Sequence, residues 1–205
     1  MHLKNIQKGR TFVNDQLILP MMGRVLLLID WDNLYYGLFQ RFGHLDMHIG
    51  ERIVALMEWV EEIGGLMGGR GFIFAPEHVS AEYQRMFNEN RLQLVICPKR
   101  KLKTPRADFL GGEPRTEEDT VDETIIWFAK NMAGHPSFKI LCLVSGDNDY
   151  VPMFEEMGRL GIKRALAPPA IASLAKNKRL LNLTDRNPVT QKRMILLLER
   201  AKIAV

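Results

Sequence analysis

Two short runs of unbroken apolar residues, each ending in acids, constrain this chain more than any other feature. Val25-Leu26-Leu27-Leu28 leads into Ile29-Asp30-Trp31-Asp32-Asn33-Leu34-Tyr35-Tyr36-Gly37, and Leu141-Cys142-Leu143-Val144 leads into Ser145-Gly146-Asp147-Asn148-Asp149-Tyr150. A run this short, with no polar alternation, reads as a strand buried on both faces. Strands of that kind belong to parallel sheets covered by helices. Each run delivers its acids to the carboxyl edge of the sheet, where open α/β sheets bind their ligands.

The rest of the chain fits that frame. Asn33 to Phe42 reads as a short helix, with Asp32 or Asn33 as its N-cap. His48 to Ile63 is amphipathic, since Ile49, Ile53, Leu56, Met57, Val60 and Ile63 recur at steps of three and four. Gly64, Gly65, Gly68 and Gly69 end it. Gly71 to Ala75 is a second strand, Ser80 to Arg91 a helix, and Leu92 to Cys97 a third strand stopped by Pro98. Pro98 to Thr116 has no helical or strand period and reads as a long loop. Glu118 to Met132 is a helix that turns Val121, Ile125, Phe128 and Met132 inward, with Asp122 beside that stripe. Lys139 to Val144 is the fourth strand. Asp149 caps a helix through Leu160, and Ile162 to Ala167 is the fifth strand. The expected fold is a three-layer α/β sandwich with a mainly parallel sheet of about five strands. Residues 1–22 read as a leader or arm, 23–168 as the domain, and 169–205 as a basic helical extension packed on it, with a helix over Pro188 to Ile203.

At 205 residues, 46% hydrophobic and 25% charged, the chain can bury a core without cross-links. Cys97 and Cys142 lie in or at apolar strands, with no spacing that makes a zinc site or a disulfide framework. That fits a reducing, cytoplasmic setting. No uncharged apolar stretch is long enough to span a bilayer, so no membrane contact is expected. The net charge of +4 is uneven. From Lys163 onward there are ten Lys/Arg and two acids, a balance of +8, which leaves −4 for residues 1–162. Lys99, Arg100, Lys101, Lys103 and Arg106 add a second basic stretch inside the expected loop. Basic surface beside an acidic site suits a polyanion, with these five side chains contacting its phosphates.

Asp30, Asp122, Asp147 and Asp149 come from three separate elements. Where their tips converge, several like charges are stable only around a cation. Oxygen donors without His or Cys select Mg²⁺ or Mn²⁺. Such ions activate water and stabilise the oxygens of a phosphoryl displacement.

The strand ending in Ile29-Asp30-x-x-Asn33-Leu34, the Val121-Asp122 that opens a helix, and the Ser145-Gly146-Asp147-x-Asp149-Tyr150 turn resemble the NYN domain family. That family includes the LabA-like proteins and is related to PIN-domain nucleases. The resemblance covers roughly residues 24–168. It implies a metal-dependent ribonuclease, with Asp30, Asp122, Asp147 and Asp149 as the metal-binding acids, Asn33 orienting substrate or water, and Ser145 holding the turn. The chain departs from LabA-like members about two turns beyond Asp122, where they often carry a second acid and this chain has Phe128 and Lys130. RNA is the expected partner, and a homodimer is compatible with the sequence.

Two other readings stay open at this point. A nucleic-acid-binding or regulatory module would keep the fold and a structural metal without turnover. A haloacid-dehalogenase-like phosphatase would use Asp30 as nucleophile and Asp32 as general acid, with the later acids on Mg²⁺. Against it, Leu34 stands where that family prefers Thr or Val.

Overall fold

The computed structural model of the chain describes residues 24–35, 49–76, 79–106, 115–118, 120–167 and 178–185. The expected leader, most of the first helix and the helix over Pro188 to Ile203 lie outside the described residues. In chain order the elements are β1 (Val25–Asp30), α1 (Ile49–Ile63), β2 (Gly71–Ala75), α2 (Ala81–Glu89) and β3 (Leu92–Ile96). There follow β4 (Arg100–Arg106), β5 (Arg115–Glu118), α3 (Val121–Met132), β6 (Ile140–Val144), α4 (Val151–Arg159), β7 (Lys163–Leu166) and α5 (Lys178–Asn182). A 3₁₀ turn, Asn148–Tyr150, links β6 to α4.

The sheet has five strands in the order β3-β2-β1-β6-β7, and every neighbouring pair is parallel. All six residues of β1 are buried, because helices cover both faces. Val25, Leu27 and Ile29 pack in one core with Ile53 and Val60 of α1 and Phe87 of α2. Leu26 and Leu28 pack in the other with Ile125 of α3, Phe154 of α4 and Leu180 of α5. The chain is therefore a three-layer α/β sandwich. Its strand order runs outward from β1 in one direction, then restarts on the other side of β1 with β6. Reversals of this kind open a crevice at the carboxyl ends of the two central strands.

The stretch expected as a loop is a two-stranded antiparallel arm, β4 paired with β5. Arg100 stands opposite Glu118, and Lys101 opposite Glu117. Opposite charges facing each other stabilise such a pair. The ribbon has no alternating apolar face, so a hydrophobic period gives no sign of it. Glu118 belongs to β5 for the same reason, and α3 begins at Val121 instead of Glu118.

The extension after residue 168 contributes α5, whose Leu180 is fully buried. Beyond it, Asp185 closes the outer edge of β7. The Arg164 N–H donates to its carboxylate, and the Asp185 N–H donates to the Arg164 carbonyl at 3.0 Å. An edge strand otherwise exposes these groups to stray pairing.

Candidate functional site

The carboxyl ends of the neighbouring strands β1 and β6 carry both acidic motifs. Asp30 is the last residue of β1 and is 3% exposed. Its Oδ1 accepts the Asn33 N–H at 3.0 Å, so Asp30 itself caps the helical turn over 31–35. This corrects the expectation that Asp32 or Asn33 would do so. Its Oδ2 accepts from Asn33 Nδ2 at 3.0 Å, from the Tyr150 hydroxyl at 2.9 Å and, at 3.4 Å, from Ser145 Oγ. Burial pushes the Asp30 carboxyl above its usual range, although the bonds from Asn33 and Tyr150 pull the other way, and the nearby Asp32 charge adds to the rise.

Asn33 joins the two motifs. While its amide nitrogen donates to Asp30, its Oδ1 accepts the Gly146 N–H at 3.2 Å. Ser145, also buried, accepts the Asp147 N–H on its Oγ at 3.1 Å. The Asp147 carboxylate in turn accepts the Asp149 N–H at 3.0 Å and caps the 3₁₀ turn. Asp149 therefore does not cap α4, contrary to expectation; it sits within the turn, and Val151 starts the helix.

Asp122 lies in the first turn of α3. It meets Asp147 and Asp149 so that one ligand atom from each falls within 4.8 Å of the others, with Asp122 and Asp147 half-buried and Asp149 exposed. Asp30 is outside that trio. It reaches Asp122 through Tyr150, whose hydroxyl contacts Asp30 Oδ2 and Asp122 Oδ1. Burial and the two carboxylates hold the Tyr150 hydroxyl far above its ordinary pKa. The Tyr150 hydroxyl thus lies between the two carboxylates.

The basic stretch divides. Arg100 donates to both Glu123 oxygens, at 2.9 and 2.8 Å, and to Glu118 at 2.5 Å. Its charge thus fastens the arm to α3, next to Asp122. Lys99, Lys101 and Lys103 are exposed. Arg106 closes β4, and its side chain lies outside the described residues. Two turns beyond Asp122, Phe128 packs on Phe72 and Phe74 of β2 with ring centroids 4.7 and 5.7 Å away. Lys130 pairs with Glu156 at 2.8 Å.

No family model and no curated protein matches the chain. Among solved structures, a protein of unknown function from Vibrio parahaemolyticus is similar at a TM-score of 0.54 and 16% identity, over 80% of this chain and 90% of that one. The likeness is one of fold.

Asp30, Asp122, Asp147 and Asp149 were all singled out from the sequence, whereas Tyr150, which contacts Asp30 and Asp122, was given no role. Its signal was a tyrosine at the end of an acidic turn, in a position where the following helix must bury the ring. The Arg100–Glu123 pairing had no signal, because it joins two elements that only the folded arm brings together.

Proposed function

We propose that the chain is a metal-dependent phosphodiesterase acting on RNA. The observation that carries this reading is the convergence of Asp122, Asp147 and Asp149 beyond the carboxyl end of β6. The donor set fits a hard divalent cation: three carboxylates, with no His or Cys among them, suit Mg²⁺ or Mn²⁺. Asp122, Asp147 and Asp149 would hold the ion, and its chemistry is activation of water and stabilisation of the displaced phosphate oxygens. Asn33 and Ser145 keep the two loops in register, and Lys99, Lys101 and Lys103 supply positive charge for a phosphate backbone.

The geometry disfavours the phosphatase reading. A nucleophilic aspartate needs an accessible oxygen, and Asp30 is buried with four donors on its carboxylate. A binding module without turnover draws support from Phe128, which fills with packed aromatics the place where LabA-like members often carry another acid. Comparing two substrates decides among the three. With Mn²⁺ present, the nuclease reading expects cleavage of a labelled RNA and no release of phosphate from a phosphomonoester. Phosphate release with a trapped phosphoryl group on Asp30 would replace it with the phosphatase, and tight RNA binding without cleavage would replace it with the binding module.

A further inference from the structure

The Tyr150 ring is fully buried in the core that also holds Ile125 of α3 and Leu180 of α5. A hydroxyl at that depth needs a partner, and this one has two: Asp30 Oδ2 at 2.9 Å and Asp122 Oδ1. The two carboxylates come from the end of β1 and the start of α3, and no hydrogen bond between Asp30 and Asp122 is needed to join them. Asp30 is itself held by Asn33 and Ser145, so it forms a fixed post.

Asp122 stands between this post and the carboxylates of Asp147 and Asp149. Repulsion from that pair would swing a half-buried side chain in the first turn of a helix away from them. A carboxylate has two oxygens, and tethering Oδ1 sets the plane of the group and the direction of Oδ2. We infer that Tyr150 is a positioning residue: its hydroxyl anchors Asp122 on Asp30 and so aims the Asp122 carboxylate at the cation shared with Asp147 and Asp149. The inference rests on the metal-centre reading above. A phenylalanine at this position would fill the core equally well and anchor nothing.

The test is Mn²⁺ binding to the full chain, read by calorimetry and by the electron paramagnetic resonance of the ion. Tyr150→Phe should raise the Mn²⁺ dissociation constant about tenfold or more, the usual cost of losing a group that orients a metal ligand. Its metal-free melting temperature should stay close to that of the wild type. Asp30→Asn removes the charge at the other end of the tether and should also weaken Mn²⁺ binding. If both act through one tether, the double variant binds no worse than the weaker single variant. Unchanged Mn²⁺ binding in Tyr150→Phe, or additive losses in the double variant, would overturn the tether. Should Tyr150→Phe not fold, unchanged binding in Asp30→Asn overturns it instead. A wild-type chain that binds no Mn²⁺ removes the metal centre, and the tether with it. Wild-type binding that Tyr150→Phe leaves intact removes Tyr150 alone.

Discussion

Asn33 and Asp30 carry the two loops of the site between them. The Asn33 side chain donates to Asp30 and accepts from Gly146, so Asn33→Ala breaks both bonds and leaves a buried carboxylate short of a donor. Breaking bonds of this kind costs about 1–3 kcal/mol, and chemical unfolding should show a loss in that range with an unchanged denaturant slope. Asp30 has a separate signature. Burial raises its pKa in the folded chain, so between the ordinary carboxylate value of about 4 and the raised one the native state binds more protons than the unfolded state. Stability therefore falls as pH rises through that window, then levels off. In the metal-free protein, Asp30→Asn should lack this decline, and its stability relative to wild type should increase with pH across the window. Parallel pH profiles for the two proteins would contradict it. Asp30, Asp147 and Asp149 were legible because they follow unbroken apolar runs, and Asp122 because it opens a helix in the same motif pattern. The division of labour among them was not. It depends on one tyrosine oxygen that reaches both Asp30 and Asp122, a long-range contact that no local pattern encodes.

At the level of elements, the parallel strands and main helices were readable because each buries an apolar face whose period survives in the sequence. The arm of β4 and β5 has no such face. Near α3 its strands set Arg100 opposite Glu118 and Lys101 opposite Glu117, with Arg106 opposite Arg115 at the far end, and Arg100 also pairs with Glu123. Arg100→Ala should free the arm from α3, raising hydrogen exchange along Arg100–Glu118 while barely moving the melting temperature. Changing Lys99, Lys101 and Lys103 to Ala tests the proposed RNA binding instead. If they neutralise phosphates, RNA affinity should drop for all sequences alike, and its salt dependence should flatten by roughly 0.7 in slope for each phosphate that is no longer neutralised. Identical slopes would make the three lysines solvent-facing charges only. The extension behaves as part of the domain. Leu180 is fully buried against the core of α3 and α4, so Leu180→Ala should cost about 2–5 kcal/mol by calorimetric or denaturant unfolding.

The whole molecule places an acidic site at one reversal of strand order and spreads positive charge elsewhere. Residues 1–162 sum to −4 and the remainder to +8, although Arg164 and Arg179 spend theirs on Asp185 and Glu155. A carboxylate cluster repels phosphate by itself, so under the proposed function a cation would have to bind before the substrate. The most direct test of this account is cleavage of an end-labelled RNA by the wild-type chain and by Asp147→Asn, with Mn²⁺, with Mg²⁺ and with excess chelator. The expected result is metal-dependent cleavage by the wild type, silence in chelator, and loss of at least about a hundredfold in Asp147→Asn, a size typical of removing one preorganised charge-stabilising group. Full cleavage in chelator, or by a folded Asp147→Asn chain, would contradict it.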